Sequence, residues 1–130
     1  MKHYSNPKSH AVTTHWMLTE LNAEHEQVFM DVTSGATRSP QYLAVNPMGK
    51  IPALVDDGVV VTEAEAICAY LADRFPEQGL APAVGSPESA TYYRYLFFPG
   101  TTLEPMFLIR SCASRSTLQS RLAGVTGIAA

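Results

Sequence analysis

The chain has 130 residues, 46% of them apolar, and carries a formal net charge of −3. That length fits one domain, or two if one is incomplete, and the apolar share suffices for a core and argues against disorder. With no basic stripe, nucleic acid is not expected as a partner. No segment approaches the roughly 18 consecutive apolar residues of a membrane span, and the opening Met1-Lys2-His3-Tyr4 lacks the apolar run of a signal peptide. A cytoplasmic, non-membrane protein is the expectation. Cys68 and Cys112 lie far apart with no C-x-x-C pair, so neither a disulfide scaffold nor a dithiol site is indicated. The four histidines show no ligand spacing, and no metal is expected.

In chain order, Lys2–Ser5 reads as a short strand stopped by Pro7. Residues 9–22 place Val12, Trp16, Met17 and Leu21 roughly at helical spacing, with Ser9 as the candidate cap. His15 and Trp16 read as a helix face packing on neighbouring elements. Residues 26–32 alternate as a strand with at least one buried face, and residues 33–38 form a polar loop. Ser39-Pro40 has the pattern of an N-cap followed by proline at the first helical position, opening a short helix to Val45. Pro47 ends it, because proline disfavours the helical conformation in the residue before it. Pro52 leads into a strand, Ala53 to Val55, and Asp57-Gly58 is a hairpin signal that returns the chain through Val59-Val60-Val61. Thr62-x-x-Glu65 reads as a capping box for a helix with Ile67, Tyr70, Leu71 and Phe75 on one face, closed by Pro76.

The order is therefore β-α-β-α-β-β-α, followed by a linker over residues 79–85. Ser86-Pro87-Glu88 starts another helix, in which Tyr92, Tyr93, Tyr95, Phe97 and Phe98 read as a core stripe before Pro99-Gly100 kinks or ends it. The last acidic residue is Glu104; beyond it come Arg110, Arg115 and Arg121 among small and hydroxyl residues.

Three places carry candidate chemistry. A cis bond at Ile51-Pro52 would turn the backbone N–H and C=O before the proline outward, where an extended peptide can pair with them; the alternative is a trans proline that merely starts a strand. The helix opening at Glu63 leaves unpaired N–H groups and a partial positive charge, a suitable seat for a carboxylate, unless Thr62 and Glu65 already satisfy them. Glu63 itself is placed to grip an amino group. Ser9, at the start of the first helix, could donate to a thiolate or act only as a cap. Tyr4 is a second hydroxyl candidate, with burial of its ring in the sheet as the alternative. His10 reads as an exposed helix-start residue, and Cys68 as an inert buried thiol.

The run Asn46-Pro47-Met48-Gly49-Lys50-Ile51-Pro52-Ala53-Leu54, the hairpin, and Glu63-Ala64-Glu65-Ala66-Ile67 with Tyr70-Leu71-Ala72 resemble the N-terminal glutathione-binding domain of the cytosolic glutathione transferases, most like bacterial theta- or beta-like members. The likeness extends from Met1 to about Pro82. It implies an α/β (α+β) fold: a thioredoxin-like domain over residues 1–80, then an incomplete all-helical domain over 86–130, normally in a homodimer. It implies that Ile51 pairs through its backbone with the cysteinyl part of glutathione, with Pro52 cis. Lys50 would reach the glycyl or cysteinyl part, and Glu63 and Ala64 would hold the γ-glutamyl end. Ser9 aligns with a thiolate-stabilising serine, Tyr4 has the spacing of a catalytic tyrosine, and Arg38 falls near the glycyl carboxylate. His10 stands where beta-class members have a cysteine.

The implied function is binding of glutathione as thiolate, as co-substrate, for conjugation to small electrophiles in a detoxifying role. The alternative is a non-catalytic glutathione-binding or interaction module; a dithiol oxidoreductase is disfavoured because no C-x-x-C precedes the first helix. Two departures from the pattern matter. Ala64 replaces a usual serine, removing a hydroxyl whose bond to a charged carboxylate contributes about 1.5–3 kcal/mol. From Leu108 onward the sequence matches nothing that should follow in the family, as a truncated or frame-shifted reading would give.

Overall fold

The computed structural model of the chain describes residues 1–110. In chain order it contains β1 (Lys2–Ser5), α1 (Ala11–Glu20), β2 (Glu26–Phe29), α2 (Pro40–Leu43), β3 (Ala53–Asp56), β4 (Val59–Thr62), α3 (Ala64–Arg74) and α4 (Pro87–Phe98), with 3₁₀ turns at Ala36–Arg38 and Pro76–Gln78. The strands form one mixed sheet in the order β2-β1-β3-β4. β1 runs parallel to β2, whereas β1–β3 and β3–β4 are antiparallel. The hairpin turn forms as its residues demand: Asp57 (φ 46) and Gly58 (φ 85) both take positive φ, matching the twist of the paired strands.

Alternation along β3 sets up two apolar layers. Leu54 faces a cluster with Leu18, Leu21, Ile67 and Leu71, which packs α1 and α3 on one side. Ala53 faces the other side, with Met30 and the Tyr42 ring of α2. α3 buries Ile67 and Leu71, the expected face. Its Tyr70 hydroxyl donates to Asp56 at 2.9 Å, and the Arg74 guanidinium lies 3.5 Å from the same carboxylate. A buried acid at the end of β3 is thereby held from α3. Ser39 caps α2 as its sequence pattern requires, accepting from the Tyr42 N–H, with Pro40 in the first turn.

Several local expectations are corrected. α1 begins at Ala11, not Ser9, and its buried positions are Ala11, Thr14 and Leu18, continued by Leu21 after its last turn. Val12 and Trp16 face solvent, and the Trp16 indole N–H donates to Glu20 four residues on. The helix stops because Asn22 takes φ 49 and the Ala23 N–H turns back to the Leu18 carbonyl. β2 ends at Phe29 and is an edge strand that buries none of its four residues. The capping box does not form: Thr62 belongs to β4, the N-cap is Glu63, and no side chain caps the turn.

The chain divides into two compact units, Met1–Tyr92 and the part from Tyr93 onward. α4 starts at Pro87 as its pattern indicates, with Ser89 donating to the Ser86 carbonyl. No residue of α4 is buried among the described residues, so its aromatic stripe is not a core there. Rather than ending at Pro99, the helix loosens into a π-type turn over Pro99–Leu103 and resumes over 104–110. Proline lacks the N–H a regular turn needs, which makes such a widening the natural accommodation. Cys112, Arg115 and Arg121 lie outside the described residues. Among those described, no helix is long and apolar enough to cross a membrane.

Candidate glutathione site at one edge of the sheet

Register explains why residues far apart in sequence gather. Tyr4 stands opposite Ala53, and Ala53 opposite Thr62. The end of β1, the start of β3 and the end of β4 therefore share one edge of the sheet. Because β2 runs parallel to β1, its end at Phe29 lies there too. The loop carrying Ser9, the Ile51-Pro52 bond and the Glu63–Ala64 helix start all issue from that edge.

The segment before β3 is a built turn. Asn46 is buried; its amide donates to the Lys50 carbonyl at 2.8 Å, while its side-chain oxygen accepts the Met48 N–H at 3.1 Å. The Tyr42 hydroxyl donates to the same Lys50 carbonyl. Gly49 turns the chain at φ 62, against Thr37 and Arg38. The Arg38 guanidinium itself donates to the Met48 carbonyl at 3.3 Å. With the Lys50 carbonyl doubly held, the following Ile51-Pro52 bond is presented in fixed orientation, and it is cis. Pro52 is buried, Ile51 half-buried and the Lys50 side chain exposed.

At the neighbouring corner Glu63 holds φ 70 and ψ 129, a conformation uncommon outside glycine. Its carbonyl accepts from Ile67 at 2.9 Å, but its side chain leaves the first-turn N–H groups of α3 uncapped. Ala64 adds only a half-buried methyl group. The partial positive end of an eleven-residue helix is thus open to an anion.

Ser9 is half-buried. Its hydroxyl donates to the Asn6 carbonyl at 2.7 Å and accepts the Ala11 N–H at 3.3 Å. It is thus a partial cap one residue ahead of His10, the residue that borders α1. Tyr4 packs its ring against Tyr42, centroids 5.4 Å apart, in the same layer as Ile51. Between the Ser9 loop and the end of β2 lies an open groove of about 520 Å³, walled by Asn6, Pro7, Lys8, Ser9, Phe29 and Val32 among others.

Cys68 stands apart from this edge chemistry: burial, then Glu65, push its thiol up to about 11, which keeps it protonated. Sequence spacing gave no warning of a second grouping. His3, His15 and His25 each offer a ring nitrogen within 4.8 Å of the other two. Burial first, then the charges of His25 and His15, depress His3 to about 4, against a smaller opposing effect of Gln27.

A mixed four-stranded sheet with helices on both faces defines a thioredoxin-like domain, and comparison with known proteins agrees. The family model for the glutathione S-transferase N-terminal domain matches residues 1–73. Glutathione S-transferase 3 of Zea mays is 40% identical over 89 residues, 66% of this chain and 40% of that protein. Protein LigF of Sphingobium sp. strain SYK-6 is 48% identical over 68 residues, 51% of this chain and 26% of LigF. A sphingomonad glutathione S-transferase, solved in complex with glutathione, superimposes with a TM-score of 0.76 at 32% identity, covering 96% of this chain and 68% of that one. This chain belongs to the glutathione S-transferase family and carries its N-terminal domain. It spans about a quarter to two fifths of the length of these two curated relatives.

Proposed function

We propose that this chain binds glutathione along the shared sheet edge and holds its sulfur as thiolate for attack on an electrophile. The carrying observation is the uncapped start of α3 at Glu63–Ala64, in a chain whose sphingomonad relative was solved with glutathione. The γ-glutamyl carboxylate takes the first-turn N–H groups of α3, and the Glu63 carboxylate takes the amino group. The cysteinyl backbone pairs with Ile51, and Lys50 and Arg38 supply cations towards the glycyl end. Ser9 becomes a donor to sulfur by rotating its hydroxyl away from Asn6, a single torsion, while the Ala11 N–H keeps its oxygen in place. Tyr4 serves chiefly as packing. The apolar wall of Pro7, Phe29 and Val32 beside Ser9 gives a small electrophile a place to approach.

Residues 1–80 are the binding domain in this reading. Residues 86–130 belong to a partial C-terminal helical domain in this reading, and the protein works as a homodimer in a cytoplasmic setting where glutathione is plentiful and reduced. The test is a pH titration of the thiolate absorbance of bound glutathione. The Ser9→Ala variant is expected to raise the sulfur pKa by about one unit, whereas Tyr4→Phe leaves it near the parent value. An unchanged pKa in Ser9→Ala removes Ser9 from the role.

A second reading, a glutathione-binding module without turnover, is favoured by Ala64 and by the commitment of the Ser9 proton to Asn6. Retention on immobilised glutathione without conjugation of a general electrophile would select it.

A further inference from the structure

We infer that His3, His15 and His25 form a binding site for a divalent transition-metal ion of the zinc type, on the face of the sheet turned away from Tyr4. One nitrogen from each ring falls within 4.8 Å of the others. The ring centroids form a triangle with sides of 6.2, 6.1 and 6.0 Å. The residues come from β1, from α1 and from the turn just before β2, so parallel pairing of β1 with β2 brings His3 and His25 together and α1 lays His15 over them.

The hydrogen bonds bear on which ring nitrogens keep a lone pair. Thr14 has one hydroxyl proton, and it goes to the Ala11 carbonyl at 3.0 Å. With that proton on Ala11, the Thr14 oxygen accepts the 2.7 Å bond from His3 in the tautomer that carries the ring proton on Nε2. In that tautomer Nδ1 carries the lone pair, and within bonding geometry this nitrogen of the fully buried ring has no partner, although the Gln27 side chain interacts with the ring. A buried acceptor without a donor is rare and costly unless something else fills it. His25 is arranged in the complementary way: Nδ1 donates to the Ala23 carbonyl at 2.8 Å, which frees Nε2. Imidazoles whose second nitrogen is anchored to a hydroxyl or a carbonyl are the usual state of metal-bound histidines, because the anchor sets the tautomer and orients the ring.

Three neutral imidazoles suit zinc and its borderline neighbours, and leave a fourth position for water or a small ligand. Bonds of about 2.0–2.1 Å to a tetrahedral ion bring ligand nitrogens to about 3.3 Å apart. The cluster must close by up to about 1.5 Å, and exposed His15 is the ring free to move.

The experiment uses tag-free full chain, titrated with Co²⁺ by visible absorbance and with Zn²⁺ by equilibrium dialysis. The expected result is one ion per chain, with the d–d intensity of a tetrahedral site and a melting temperature that rises with Zn²⁺. His15→Gln and His25→Gln should each weaken binding by about tenfold or more, and the double variant should abolish the Co²⁺ spectrum. His10→Gln should leave it unchanged. Retention on immobilised glutathione, measured on the same samples, should be equal in parent and double variant, so failure of the metal site and failure of the glutathione site are read separately. No saturable binding by the parent, or parental affinity in the double variant, would overturn the assignment.

Discussion

Gly49 holds φ 62, and a Cβ on it would stand 2.8 Å from both the Thr37 carbonyl and the Arg38 guanidinium. The guanidinium can swing away, but the carbonyl is backbone, and a left-handed φ disfavours any other residue. Gly49→Ala is expected to cost about 1–3 kcal/mol of stability, measured by urea unfolding. It should also weaken glutathione retention, because the displaced turn carries Lys50 and Ile51. Parental retention in a folded Gly49→Ala variant would separate this turn from the binding edge. Cys68 gives a second test at this scale. A thiol raised from 9.0 to about 11 holds its proton through neutral and mildly alkaline pH, so its thiolate fraction at pH 8 falls about a hundredfold. Higher nucleophilicity offsets part of that loss. In a Cys112→Ser background, alkylation at pH 8 should run one to two orders of magnitude slower than in urea; equal rates would contradict the assigned burial. At this scale the sequence was legible where chemistry is local. Ser39, Asp57 and Gly58 announce their backbone states because capping and positive φ leave few options, whereas the cis bond before Pro52 followed only from the family resemblance. Glu63 announced nothing, since a carboxylate residue does not signal a positive φ.

Elements were legible where their buried face is sharply patterned. Ile67 and Leu71 identify α3 from a four-residue spacing of large aliphatics, and the β3–β4 hairpin follows from its turn. α1 was misread because its true face uses Ala11 and Thr14, a small residue and a hydroxyl, while larger Val12 and Trp16 face solvent. Size outweighed position in that reading. The Thr62-x-x-Glu65 pattern failed for a different reason: strand pairing of Thr62 with Ala53 claims the residue before it can cap. What locks α3 to the sheet is the buried Asp56 carboxylate, which accepts from Tyr70 and pairs with Arg74. Asp56→Ala leaves both partners without it and should cost about 1–3 kcal/mol. A double-mutant cycle with Tyr70→Phe should give a coupling of about 0.5–3 kcal/mol. Additive effects would show that the hydrogen bond contributes nothing beyond its separate parts.

At the scale of the molecule, the strand order β2-β1-β3-β4 turns a linear sequence into two distinct surfaces. One edge carries Ser9, Ile51-Pro52 and Glu63, the residues that the motif resemblance singles out. The opposite face of β1 collects His3, His15 and His25, with sequence separations of twelve and ten that carry no ligand signature. Their meeting depends on parallel pairing of β1 with β2, a tertiary fact that spacing along a chain does not encode. The histidine cluster lies wholly within the unit Met1–Tyr92.

The most direct measurement is a crystal structure of the chain with glutathione at saturating concentration. The γ-glutamyl carboxylate is predicted at the Ala64 end of α3, the cysteinyl backbone paired with Ile51, and the sulfur within hydrogen-bond reach of the Ser9 hydroxyl. Glutathione bound elsewhere, or absent from that sheet edge at saturation, would contradict the account.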